Sequence, residues 1–282
     1  MVKILSDSTC DLSRELLEKY DISILPLHIL LGEKEYCDGV DITPDEIFQW
    51  SDVQKTTPKT SAPALDMAME MLEPFVKEKQ PVICFSISED MSTSANVMRM
   101  AASELEAEDL VTVIDSASLS TGIGLLVLHA AEMAQAGKTV EEIQTEIEEL
   151  KPKVRASFVV DTLVYLYRGG RCSGLAAMFG SALHLHPMIV VENGKMHSSK
   201  KYRGKLSKVI LDYAKDLKEQ MEQARSERVF ITHSGCSPEV VEKVQNFLEE
   251  LHIFDEILIT RAGGVISSHC GPGTLGVLFI EK

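Results

Sequence analysis

The alternation of short apolar runs with helical periodicity in the first half of the chain constrains the fold most strongly. Strand-like runs at residues 2–5, 82–86 and 111–114 are each followed by a stretch with apolar residues at helical spacing. Two capping boxes, Thr43 with Glu46 and Thr139 with Glu142, predict further helix starts. Alternation of this kind predicts a mainly parallel sheet with helices on both faces.

The second half of the chain has a different order of elements. Lys151-Pro152-Lys153 is typical of a boundary, and Asn193-Gly194 between two strand-like runs predicts a hairpin with a tight primed turn. Two amphipathic helices and three further strands follow. A length of 282 residues suits about two domains. We therefore expect an α/β fold: an N-terminal three-layer α/β/α domain over residues 1–152 and a C-terminal two-layer domain with a mixed sheet over residues 153–282.

The charge balance excludes several classes of partner. A formal net charge of −15 does not suit a nucleic-acid or anionic-membrane surface. No run approaches the roughly 20 apolar residues of a membrane span, so no stable membrane insertion is expected. The chain shows no secretory signal and its six cysteines lack a C-x-x-C pair, which favours free thiols and a cytoplasmic location.

Small hydroxyl residues cluster where the predicted strands end. Thr60-Ser61 precedes a helix, and Ser92-Thr93-Ser94 follows the strand at 82–86. Ligands of open parallel sheets bind outside the carboxyl ends of the strands, where hydroxyls and helix-start N–H groups meet negative charge. Capping of its own helix is the simpler explanation for each hydroxyl taken alone, whereas several such turns on one sheet edge favour a site. The residues by themselves support an anion-binding α/β protein.

Two glycine-containing segments in the second half add candidate site residues. Arg168-Gly169-Gly170-Arg171 suits a phosphate or carboxylate, or equally a solvated turn. His269 lies beside a rigid Gly-Pro-Gly turn. The match of residues 271–276 to G-x-G-x-x-G is not a dinucleotide site, because only six residues follow it. No metal site or cofactor is implied.

The ordered set of these motifs resembles the DegV family of bacterial fatty-acid-binding proteins over essentially the whole chain. The resemblance rests on the following segments, in order: Asp7-Ser8-Thr9-Cys10-Asp11-Leu12, Thr60-Ser61-Ala62-Pro63-Ala64, Ser88 through Ala95, Asp115-Ser116, Gly169-Gly170-Arg171, and His269-x-Gly271-Pro272-Gly273.

The resemblance implies a lipid carrier without turnover of its own. A long-chain fatty acid would lie in an apolar tunnel between two α/β domains. Its carboxylate would meet Thr60, Ser61 and Ser92, with His269 approaching from the second domain. Arg171 and Arg203 would face the headgroup or the partner, a dihydroxyacetone-kinase-like fatty-acid kinase that forms the acyl phosphate. Thr93-Ser94-Ala95 departs from the family's Gly-Thr-Tyr, which bears on ligand choice.

Two other classes of function stay open at this point. One is an enzyme, either a serine hydrolase or a phosphometabolite transferase, that uses Ser92 or Ser61 with His269. The other is a regulatory module that binds a small anion. Hydroxyls without a recognisable nucleophile elbow favour binding over hydrolysis.

Overall fold

The computed structural model describes residues 1–173 and 185–282. Its strands are β1 (Lys3–Asp7), β2 (Ser23–Leu25), β3 (His28–Leu31), β4 (Lys34–Cys37), β5 (Lys59–Ser61), β6 (Val82–Ser86), β7 (Val111–Asp115), β8 (Val154–Val159), β9 (Cys172–Ser173), β10 (Leu185–Glu192), β11 (Lys195–Arg203), β12 (Ala224–His233), β13 (Glu256–Arg261) and β14 (Leu275–Glu281). Its α-helices are α1 (Arg14–Lys19), α2 (Pro44–Gln54), α3 (Leu65–Lys77), α4 (Ser94–Glu104), α5 (Thr121–Gln135), α6 (Val140–Leu150), α7 (Val164–Gly169), α8 (Leu206–Asp216), α9 (Lys218–Met221), α10 (Pro238–Leu251) and α11 (Gly264–Cys270).

The N-terminal part is built on a four-stranded parallel sheet in the order β2-β1-β6-β7. Side chains alternate between its faces with the period of two that strands impose. Val82 and Cys84 pack with α3 and α4, whereas Ile83 and Phe85 pack in the core that contains α5. Helices therefore cover both faces, as the sequence predicts.

Helix α5 is buried on nearly all sides because it lies between two sheets. It packs in one hydrophobic core with strands of the parallel sheet and with β8 and β14 of the C-terminal part. A Cβ on Gly122 would lie 2.3 Å from Ser118 Oγ and 3.3 Å from Val154 Cγ1, so the glycine leaves room for Ser118 and for close contact with β8. One apolar core therefore joins the two halves of the chain.

The C-terminal part contains a seven-stranded mixed sheet in the order β13-β12-β14-β8-β10-β11-β9. Its second face packs on α8 and α10 through side chains such as Val209, Tyr213 and Val277. The β10–β11 hairpin is confirmed: Asn193 and Gly194 have φ angles of +48° and +79°, as a primed turn requires.

The expected fold class is confirmed, and so are both capping boxes. A small antiparallel sheet in the order β4-β3-β5 and the short helix α11 were not predicted. The division of the chain at residues 152 and 153 stays a prediction. Among the described residues, no helix is both long and apolar enough to cross a membrane.

Candidate functional site

A cavity of about 490 Å³ lies between the loops that follow β5, β6 and β7 and helix α11. This volume is in the range of small-molecule sites, roughly 300–1,000 Å³. Five of the six residues expected at the site line it, namely Thr60, Ser61, Ser92, Arg171 and His269. The apolar part of the wall includes Leu27, Ile87, Met91, Leu119, Val265 and Ile266.

Thr60 and His269 form a polar contact between the two parts of the chain at this cavity. Thr60 Oγ1 lies 2.8 Å from His269 Nε2. The Nδ1 atom of the same ring is buried and has no hydrogen-bond partner among residues 1–173 and 185–282. Burial, with a smaller effect of the Arg171 charge, lowers the pKa of His269 to about 4. The imidazole is therefore neutral at physiological pH.

Gly169 gives the His269 ring its space. A Cβ at residue 169 would lie 2.4 Å from His269 Nδ1, a distance that no side chain tolerates. The glycine pair before Arg171 thus has a steric reason in addition to its turn geometry, since Gly170 has a φ of +68°. Arg171 itself is exposed at the edge of the cavity and donates to the Gly169 carbonyl at 2.6 Å.

Ser92 lies in the loop after β6 and is paired with Ser94. Their Oγ atoms are 2.8 Å apart, and the Ser94 N–H donates to Ser92 Oγ at 3.3 Å. Ser94 keeps a hydroxyl where the family pattern has threonine, so the altered Thr93-Ser94-Ala95 turn still orients Ser92.

Negative charge in the wall is compensated by nearby cations. Glu89 pairs with Arg99 at 2.6 Å, and Asp90 lies 3.6 Å from the Lys195 amine. Burial raises the pKa of the Cys270 thiol, so this wall residue is neutral. The lining therefore does not repel an anion as strongly as the net charge of the chain suggests.

Arg203 is not brought to this site. It is the last residue of β11, is exposed, and is absent from the lining of the cavity. The hydroxyl-rich segments Asp7-Ser8-Thr9 and Asp115-Ser116 do not line the cavity either. Asp7 instead accepts hydrogen bonds from the N–H groups of Thr9 and Ile87 and braces the end of β6.

Two buried acids that sequence reasoning did not single out hold the start of α11. Asp11 accepts from the Gly263 N–H at 2.8 Å, and Asp38 accepts from the Gly264 N–H at 2.7 Å. Burial raises the pKa of both carboxyl groups above their ordinary range, partly offset by these hydrogen bonds. Asp11 belongs to the opening motif, whereas nothing local in the sequence marks Asp38.

A second cavity of about 480 Å³ lies near the end of α6, between the loop after β7 and strands β8 and β10. Its wall is more polar than that of the first cavity. Two of its charged residues, Lys151 and Glu148, pair with each other at 2.8 Å. It contains none of the expected site residues. The first cavity is therefore the better candidate for a ligand with a long apolar part.

Fold and cavity together define a class: an α/β protein with an apolar-walled small-molecule cavity between strand-end loops and helix α11, where hydroxyls and a neutral histidine meet. The chain belongs to the DegV family, whose model, described as an uncharacterised protein of the DegV family, matches residues 1–282.

Known relatives resemble the chain over their full length. A DegV domain-containing protein of Clostridium perfringens is 32% identical over 100% of this chain and 99% of its own. The solved structure of a DegV family protein from Thermus thermophilus, described by its fatty acid binding, has a TM-score of 0.90 and 30% identity over 100% and 99% of the two chains. A stearic-acid-binding protein from Eubacterium ventriosum has a TM-score of 0.88 and 31% identity over 100% and 99%.

Proposed function

We propose that this protein binds a long-chain fatty acid in the cavity of about 490 Å³ and presents its carboxylate to a fatty-acid kinase. The observation that carries the proposal is the combination of an apolar wall with the neutral Thr60–His269 pair. The fatty-acid-binding descriptions of relatives about 30% identical support it. A cytoplasmic location belongs to the same proposal.

The acyl chain would supply most of the affinity. Each buried CH₂ group contributes about 0.8 kcal/mol, so a long chain in an apolar cavity gains several kcal/mol before the headgroup is considered. An unpaired buried carboxylate is costly, and the headgroup therefore needs hydrogen-bond donors. Thr60, Ser61 and Ser92 provide hydroxyls for that purpose.

A neutral His269 fits this task better than a charged one. When Nε2–H donates to Thr60 Oγ1, the Thr60 hydroxyl proton is left to donate to a ligand carboxylate. The headgroup would be bound without a strong fixed positive charge beside it. A carboxylate held by neutral donors keeps the nucleophilic character that phosphoryl transfer to an acyl phosphate requires.

Native mass spectrometry of freshly purified protein, followed by denaturing extraction and lipid identification, tests the binding step. We expect one fatty acid per chain. Thr60→Val keeps the size of the side chain and removes the hydroxyl, so it should weaken fatty-acid binding about 10-fold. A protein that is ligand-free and also refuses added fatty acids would contradict the proposal.

The transfer step needs its own measurement, because binding alone does not require a partner. Formation of acyl phosphate would be followed with ATP and a dihydroxyacetone-kinase-like fatty-acid kinase. Arg203→Ala should reduce transfer while leaving fatty-acid binding unchanged, since Arg203 lies outside the cavity. Equal transfer by the variant and the wild type would remove Arg203 from the kinase-facing surface.

The geometry gives less support to a serine hydrolase. His269 Nε2 pairs with Thr60, and Ser92 pairs with Ser94. A nucleophile and base normally need a third group that orients the base, and no such partner of Nδ1 occurs in the described part of the chain. Labelling of Ser61 or Ser92 by a serine-reactive probe would reverse this preference.

A further inference from the structure

Helix α11 begins without a cap from its own neighbours. Gly263 and Gly264 have no side chain to offer, and the first N–H groups are satisfied by Asp11 and Asp38, which lie 252 and 226 residues earlier. Unsatisfied N–H groups at a buried helix start are costly. The position of α11 therefore depends on two carboxyl groups of the N-terminal part.

Each carboxyl group is itself held by a serine. Ser120 donates to Asp11 Oδ2 at 2.5 Å, and Ser8 donates to Asp38 Oδ2 at 2.8 Å. Ser8 in turn accepts from the Leu27 N–H at 3.2 Å. Both acids are thus fixed from two sides, and neither lines the cavity.

The backbone conformations of Asp11 and Ser120 also indicate that the start of α11 is held in a defined position. Their φ angles are +52° and +53°, in the left-handed region that is costly for residues with side chains. The Ser120–Asp11 hydrogen bond joins these two residues and continues to the Gly263 N–H. The fold thus accepts backbone strain at the point from which α11 is held.

The opposite end of α11 carries His269. The helix has seven residues and a length of about 10 Å, so a shift of its start is passed to the imidazole. Space around the start is small: a Cβ on Gly264 would lie 2.6 Å from Ile29 Cδ1 and 2.8 Å from Asp38 Oδ1. The start of α11 and the Asp38 carboxyl group are therefore packed too closely to shift relative to each other.

We infer that Asp11 and Asp38 are positioning residues for the carboxylate end of the site. They fix α11, and through it the His269–Thr60 pair, without touching the ligand. This inference rests on the proposed fatty-acid binding. It assigns the headgroup affinity partly to two residues of the N-terminal part that contact the start of α11 and do not line the cavity.

The test compares octadecanoic acid with methyl octadecanoate, which has the same chain and no carboxylate. Asp38→Ala in the full-length protein should weaken binding of the acid about 10-fold and of the ester less than 2-fold. Asp38→Asn keeps an acceptor for the Gly264 N–H and should restore most of the acid affinity. Equal losses for acid and ester would overturn the inference, because they indicate a merely structural role.

A matched control removes a buried hydrogen bond elsewhere. Tyr213 OH donates to the Ser157 carbonyl at 2.7 Å and accepts from the Val277 N–H at 3.0 Å in the C-terminal core. Tyr213→Phe should lower stability without changing the ratio of acid to ester affinity. A change in that ratio as large as that of Asp38→Ala would also overturn the inference.

Coupling to His269 gives a second readout. If Asp38 acts through His269, Asp38→Ala should cause no further loss of acid affinity in a His269→Ala background. Additive losses would contradict the inference. If the wild type binds neither ligand, the proposed function fails, and the NMR signals of the His269 ring test the positioning role on their own. Asp38→Ala should shift these signals and Asp38→Asn should restore them. Unshifted signals in Asp38→Ala would overturn the positioning role.

Discussion

The backbone N–H groups at the starts of helices α6 and α11 are satisfied in opposite ways. At α6, Thr139 and Glu142 cap each other's backbone N–H groups within three residues. At α11, the oxygens come from Asp11 and Asp38 in another part of the chain. The first cap belongs to the helix itself, whereas the second exists only when the two halves are packed together.

The difference shows where the candidate site gets its geometry. A helix with its own capping box would keep its start wherever it packed, and its side chains would be placed by packing alone. The start of α11 is defined by the N-terminal part, to which Thr60 also belongs. The positions of both Thr60 and His269 are thus set by the N-terminal half of the molecule.

Replacing Gly264 by Ala should disturb this arrangement most. The new Cβ would overlap Ile29 and Asp38, and we expect a loss of about 3 kcal/mol in the free energy of unfolding. Urea denaturation measures it. Gly137→Ala is the control: its φ of +80° is strained but nothing surrounds the added atom, so the loss should be about 1 kcal/mol. Equal losses would mean that the start of α11 is not tightly packed.

Removing the Asp11 carboxyl should cost about 2 kcal/mol at pH 7, because the Gly263 N–H and the Ser120 hydroxyl lose their acceptor. Burial raises the pKa of Asp11 in the folded protein. A raised pKa contributes stability that is greatest at acidic pH and is lost as pH rises through the folded pKa. Asp11→Ala should therefore destabilise more at pH 4 than at pH 8.

Asp11→Asn separates the hydrogen bonds from the charge. It keeps an acceptor for Gly263, so its stability loss should be smaller than that of Asp11→Ala. Both losses should vary with pH in the same way, because only the wild-type carboxyl titrates in each comparison. Chemical denaturation at several pH values provides both numbers. A pH-independent difference between the wild type and Asp11→Ala would contradict a raised pKa.

His269→Gln isolates the neutral imidazole. The folded pKa of about 4 lies below the ordinary value of 6.5, so the stability contributed by His269 is present above pH 6.5 and is lost as pH falls toward 4. The wild type should gain on the order of 2 kcal/mol relative to the variant between pH 4 and 6.5. Parallel stability curves for the two proteins would show that His269 titrates normally.

The smallest effect is expected at the self-capped helix. Thr139→Ala should cost about 1 kcal/mol of stability by removing one hydrogen bond to the Glu142 N–H. Fatty-acid affinity should stay unchanged, because α6 lies away from the cavity lining. A loss of affinity would break the distinction between the two kinds of cap.

Sequence reasoning succeeded where structure is set by near neighbours. The capping boxes at Thr43 and Thr139, the Asn193-Gly194 turn and the alternation of strands and helices all depend on contacts a few residues apart. Together with the family resemblance, they gave the fold class and five residues of the cavity wall.

The parts that sequence reasoning missed depend on distant contacts. Asp38 is marked by no local pattern, and its role comes from Gly264, which meets it only after folding. Helix α11 has seven residues, begins at Gly264 and is preceded by Gly263, so neither propensity nor periodicity predicts it. The strands β4 and β5 were not predicted for a similar reason, since each is stabilised by pairing with β3.

The burial of α5 between the two sheets has a consequence for how the molecule opens. Domains joined by small polar contacts swing apart readily, but separating these halves would expose a helix that both of them use as core. Unfolding is therefore expected to occur in a single cooperative transition. A ligand is therefore expected to enter and leave the cavity through local movement at its rim, while the two sheets that pack on α5 stay in place.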